Sequence, residues 1–188
     1  MKILVDADSC PQKAREIIIR CANRLEIQAI FAANRPIPGI EIPFKDIEEK
    51  PTKEVKGIPL EDLKGKPPTQ GNLGRQETRS NSFAVMEICE TGEGAADNRL
   101  IELAETGDLV ITRDIPLAQK LVEKKVSVIN DRGREYNNEN IKQALSLRNF
   151  AVGLADTGLG IERIASYGNK DIKNFADSLD RILTRLKK

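Results

Sequence analysis

The chain has 188 residues and a formal net charge of +1, from 30 Lys and Arg against 29 Asp and Glu. That length suits one domain around one sizeable core, and the near-neutral balance excludes a general attraction for nucleic acid or anionic lipid, leaving only local patches. Histidine is absent, which rules out a His-ligated zinc, a His general base and a Ser-His-Asp triad. The three cysteines, Cys10, Cys21 and Cys89, form no C-x-x-C pair, so they fit a reducing cytoplasm better than a disulfide scaffold. Aromatic residues are 4% of the chain and tryptophan is missing, which counts against base-stacking platforms. With no charged leader and no apolar run of membrane-spanning length, the expectation is a soluble cytoplasmic protein with no membrane partner.

In chain order, strand and helix signals alternate, and this alternation predicts an α/β fold. Lys2 to Ala7 is a first strand. A helix follows, with Pro11 suited to its first position and Ser9 or Cys10 to its cap, and with Ile17, Ile18, Cys21, Ala22 and Leu25 as its apolar stripe. Ile27 to Ala33 is a second strand, Ser82 to Cys89 a third. A helix opens at Ala95-Ala96-Asp97-Asn98 and stops at Gly107. Asp108 to Thr112 is a fourth strand, Leu117 to Lys125 a helix, and Val126 to Ile129 a fifth strand. Two further helices are expected, over roughly Asn138 to Ala155 and Asp171 to Leu186. The intervening Thr157-Gly158-Leu159-Gly160 lacks the preceding strand of a dinucleotide fingerprint and reads as a helix terminator. The pattern dissolves over residues 37–81, which read as an insertion after the second strand with a partly mobile, charged end. The whole is predicted as a single domain, 1–188, with a three-layer, mostly parallel, five-stranded sheet.

Acids gather where strands end. Asp6 and Asp8 stand two apart at the end of the first strand, so they share a face. Asp97 opens the helix after the third strand, and Asp114 follows the fourth. Asp97 and Asp114 also suit plain helix capping, but capping gives no reason for Asp6-x-Asp8. In an open parallel sheet, ligands lie beyond the carboxyl ends of the strands. Four carboxylates there repel one another, and a hard divalent cation, Mg²⁺ or Mn²⁺, with oxygen ligands relieves the repulsion and receives a phosphate.

The segments Val5-Asp6-Ala7-Asp8-Ser9-Cys10-Pro11, Ala96-Asp97-Asn98, Asp108 through Ala118, Arg132-Gly133-Arg134-Glu135-Tyr136 and Arg148-Asn149-Phe150 resemble the motifs of the bacterial YaiI/YqxD family, as does the Phe175-Ala176 to Leu179-Asp180 tail. The resemblance covers the chain apart from about residues 37–81. That family is similar in fold to PIN domains, which are metal-dependent nucleases. The resemblance implies a PIN-like fold, Asp6, Asp8, Asp97 and Asp114 as the acidic set, and Thr112 in the place of the PIN hydroxyl beside the metal. It departs at Gly94, where relatives carry a further acid and Glu93 is the nearest substitute.

The expected function is divalent-metal-dependent phosphodiester hydrolysis, with RNA the favoured substrate. Asp6, Asp97 and Asp114 would hold the metal, and Asp8 would ligate it or orient water. Ser9 and Thr112 would position water or phosphate, with Arg113 and Arg132 neutralising the scissile region. Two other readings stay open. One is a PIN-like module that binds metal or nucleic acid without turnover. The other is a haloacid-dehalogenase-type phosphatase with Asp6 as nucleophile, although no late Asp-Asp pair follows as that chemistry expects. A thiol phosphatase is disfavoured because Arg15 falls one residue short of the C-x₅-R spacing from Cys10.

Overall fold

The computed structural model describes residues 1–38, 40, 83–89, 92, 94–157 and 167–187. In chain order they form β1 (Ile3–Asp6), α1 (Gln12–Leu25), β2 (Ala29–Ala33), β3 (Ala84–Ile88), α2 (Ala95–Leu103), β4 (Leu109–Ile111), α3 (Ile115–Glu123), β5 (Ser127–Ile129), β6 (Glu135–Tyr136), α4 (Ile141–Asp156) and α5 (Asn169–Leu186). The insertion expected over 37–81 and the terminator expected at Gly158–Gly160 fall almost wholly outside the described residues.

The strands lie in the order β3-β2-β1-β4-β5-β6. The first five are mutually parallel, and β6 pairs antiparallel with β5. Among the described residues the sheet therefore has six strands rather than the five expected. The sixth is two residues long, Glu135 and Tyr136, joined to β5 by a tight turn. So short a segment carries no periodicity from which a strand can be read.

Residues of β1, β2 and β4 are buried on both faces, as central strands of a covered parallel sheet are, whereas β3 at the edge is buried only in part. Side-chain alternation sends Ile3 and Val5 into one core and Leu4 into the other. The first core is closed by α1 and α5, through Ile18, Ala22, Phe175, Leu179 and Ile182. The second is closed by α2, α3 and α4, through Leu100, Leu121, Ile141 and Ala144. Right-handed crossovers explain this division. From β1 the chain steps outward to β2, and from β3 it returns across to β4 and β5 in the opposite direction, so its helices must lie on the opposite face.

Two local devices fix the frame. At the amino edge, buried Asp108 accepts hydrogen bonds from the Lys2 amide at 2.8 Å and the Glu105 amide at 3.0 Å, and stands 3.4 Å from the Lys2 ammonium. It ties the start of β1 to the start of β4. At the opposite edge, the turn from β5 to β6 is held by Asn130, whose Oδ1 accepts from the amides of Arg132 and Arg134. Gly133 in that turn has φ +82, and a Cβ there would overlap the backbone carbonyl of Asn174 on α5. Gly107 also has positive φ but faces open space. Gly133→Ala is therefore expected to cost about 1–3 kcal/mol more than Gly107→Ala, measured by urea denaturation of the two variants. Equal losses would mean that α5 yields at no cost.

Candidate functional site

Strand order changes direction at β1, which has β2 on one side and β4 on the other. This is the topological switch point at which open parallel sheets leave a crevice beyond their carboxyl ends. An open cleft of about 560 Å³ lies there. Its walls carry Asp6, Asp8 and Ser9 from the end of β1, Asp97 from α2, and Arg113, Asp114 and Ile115 from the β4–α3 junction, with Arg148 reaching in from α4.

Asp6 is the best-held group. It is 5% exposed, and its Oδ2 accepts hydrogen bonds from Ser9 Oγ at 2.6 Å and Thr112 Oγ1 at 2.8 Å. Among the described residues no donor satisfies Oδ1. Thr112 is itself buried, and its hydroxyl oxygen accepts from the Asp114 amide at 3.0 Å. Ser9, considered as a helix cap, serves Asp6 instead. Pro11 takes the cap position without any side-chain hydrogen bond, and the helix starts one residue later than expected.

Asp114 does cap α3, its Oδ1 accepting from the Leu117 amide at 2.8 Å, and it lines the cleft as well. Asp97 is not a cap. Gly94 takes that position with φ +74, and Asp97 sits in the first turn of α2. A positive φ at Gly94 favours glycine over an acid bearing a side chain; Glu93 lies outside the described residues. Asp8, more exposed, accepts from the Asn34 amide at 3.1 Å and lies 3.9 Å from Arg35 Nε.

The cations divide. Arg113 lines the cleft and is anchored from behind by an ion pair at 2.6 Å to Asp131, which is 2% exposed. Arg132 is not among the lining residues, and its guanidinium stands 3.1 Å from Asp171 on α5. Arg148 carried no assigned role in the sequence. It reaches the cleft because α4 leaves the core after Ala144 and runs on with Leu147 and Phe150 exposed. Asp131 was equally hidden, since Asn130-Asp131-Arg132-Gly133 reads as a turn. Burial pushes the Cys10 thiol up to about 12, so at neutral pH it is not a thiolate nucleophile.

The acids crowd one another. Partial burial, followed by the charges of Asp114 and Asp6, holds the Asp97 carboxyl above its ordinary value. A cation would relieve that repulsion, and hard carboxylate oxygens are the donors Mg²⁺ and Mn²⁺ take. Among the described residues no three acids stand close enough to grip one ion together. An ion taken there would have at most two of these carboxylates as direct ligands and water for the rest, a donor set Mg²⁺ commonly accepts.

A doubly covered, mostly parallel α/β sheet with an acid-lined cleft at its switch point is the class of protein so defined. The chain belongs to a bacterial family whose model is described as "Uncharacterized BCR, YaiI/YqxD family" and matches residues 74–185. It is 37% identical to a UPF0178 protein of Treponema pallidum over 99% of this chain and 83% of that protein. It is 39% identical to one of Treponema denticola, over 98% and 93% respectively, and 32% identical to one of Pseudomonas aeruginosa, over 100% and 93%. No solved structure matches the chain. Among the described residues no helix is long and apolar enough to cross a membrane.

Two outcomes test this geometry. Thr112→Val leaves buried Asp6 one donor short and the Asp114 amide without its acceptor, for an expected loss of about 1–3 kcal/mol in chemical denaturation. For Asp97, the unfolded chain gives up the proton near pH 3.8 and the folded chain at higher pH. Between those values the folded state binds more protons, so stability falls as pH rises through the window, and the penalty is complete above it. Asp97→Asn is expected to be more stable than wild type at neutral pH, with the advantage fading as pH drops below 3.8. A less stable Asn variant at neutral pH would make Asp97 a structural group instead.

Proposed function

We propose that the protein is a PIN-like, divalent-metal-dependent nuclease that hydrolyses phosphodiester bonds, with RNA the favoured substrate. The observation that carries this reading is the meeting of Asp6, Asp8, Asp97 and Asp114, from three separate strand-to-helix junctions, on the walls of one open cleft. Asp6 is the principal ligand, because Ser9 and Thr112 fix one of its oxygens and leave the other toward the ion. Of Asp8, Asp97 and Asp114, at most one joins Asp6 directly, and the others act through water. A cation bound there would neutralise charge on the phosphoryl oxygens and make a bound water more acidic. Arg113, pinned by Asp131, and Arg148 meet the substrate phosphate as guanidinium forks. Arg132, paired with Asp171, supports the β5–β6 turn rather than substrate. Phosphatase chemistry at Asp6 would draw on the Asp6-x-Asp8 pair, but it expects a late Asp-Asp pair that this chain lacks.

The expected result is Mn²⁺-stimulated cleavage of single-stranded RNA, lost in Asp6→Asn. No turnover of small phosphomonoesters and no beryllofluoride adduct on Asp6 are expected. Monoester hydrolysis with a trapped adduct would overturn the nuclease reading in favour of an aspartyl-phosphate mechanism. Tight Mn²⁺ binding by calorimetry, with no turnover of either substrate, would identify a binding module. The wide spacing of the acids is what keeps that second reading in view.

A further inference from the structure

Beside the acid cleft lies a second cavity of about 280 Å³, and Asp8 lines both. Its other walls include Arg15, Arg35, Pro36 and Pro38. Arg35 follows β2, on one side of β1. Arg113 follows β4, on the other. Guanidinium groups therefore stand on both flanks of the four acids.

Each of the two arginines in the second cavity is oriented by a contact that leaves donors to spare. Arg15 gives one hydrogen bond, from Nη1 to the Ala7 carbonyl at 3.2 Å. Arg35 is 82% exposed and meets Asp8 only loosely, at 3.9 Å. A guanidinium has five N–H donors in a planar fork, suited to phosphate oxygens. Asp8 accepts from the Asn34 amide and so holds the β2 end, with Arg35 beside it, against β1.

We propose that the cavity of Arg15 and Arg35 is a subsite for the phosphodiester next to the one bound at Asp6, so that the substrate is a single polynucleotide strand lying across the end of β1. This rests on the nuclease reading and deepens it. A phosphomonoester places one phosphate at the acids and has nothing for Arg15 or Arg35. An extended strand has a phosphate on either side of the scissile one, and the cavity and the cleft share Asp8 as a lining residue. Arg113 and Arg148 then meet the strand on the β4 side, Arg15 and Arg35 on the β2 side.

The test is binding and cleavage of a fluorescein-labelled ten-nucleotide RNA by the full chain in Mn²⁺, over a range of KCl concentrations. Arg15→Gln/Arg35→Gln should weaken binding roughly tenfold and lower the slope of log K against log salt by about 0.7, one single-strand phosphate contact. Arg35→Gln alone, at a largely exposed side chain, should give part of the effect with the fold intact. Lys142→Gln/Lys173→Gln removes the same charge outside both cavities and should match wild type. A dinucleoside monophosphate, which has no neighbouring phosphate, should have the same inhibition constant against wild type and the arginine variant. If the arginine variant binds the decamer as tightly as wild type does, the subsite is overturned, and cleavage by wild type keeps the nuclease reading standing. If inorganic phosphate binds wild type but not the arginine variant, and does so without displacing the decamer, a free-anion site replaces the strand subsite. If wild type neither binds nor cuts RNA or a DNA decamer, the reading and the subsite fall together.

Discussion

The hydrogen bond from Thr112 Oγ1 to Asp6 Oδ2 joins the ends of β1 and β4, where the sheet reverses its direction of growth. Without that reversal the two strands would not be neighbours, and acids delivered by separate junctions would be spread along an edge. With it, they face one cleft. The same hydroxyl accepts the Asp114 amide, and Asp114 in turn caps α3. One buried threonine thus links a carboxylate of β1, the β4–α3 turn and the start of a helix. The cost of burying the Asp6 carboxylate is offset by charge-assisted hydrogen bonds from two hydroxyls.

Much of this was legible in the residues. Asp6-x-Asp8 after a β-branched run announces a strand end, and Asp97 and Asp114 announce helix starts. The alternation of elements puts those junctions on one edge. The distinction between cap and non-cap was not legible. Asp114 caps α3 while lining the cleft, whereas Asp97 stands in a first turn whose cap is Gly94. What separates them is backbone geometry at residues 94 and 114, which the identity of the two aspartates does not encode. Ser9 shows the same limit. It is an apt helix cap by type, yet the nearer charge of Asp6 takes its hydroxyl.

The arginines were the least legible part, because a long flexible cation declares its partner only once the chain has folded. Arg113 and Arg132 look alike in sequence, each near the end of a strand. Asp131, made inaccessible by the β5–β6 turn, holds the first at the cleft, and Asp171 near the start of α5 takes the second. Arg148 reaches the site only because α4 outruns the sheet it packs on. The sixth strand was hidden for a related reason: Glu135 and Tyr136 are a strand by pairing alone, set in place by Asn130 and Gly133.

The covering of one face by the last helix has a bearing on how the protein is made. Ile3 and Val5 share their core with Phe175, Leu179 and Ile182 of α5, far later in the sequence. Until that helix has left the ribosome, the α1 side of the central strand lacks part of its cover. The nascent chain must therefore hold an unfinished apolar surface from the making of β1 until that of α5, and the closure joins distant rather than neighbouring segments.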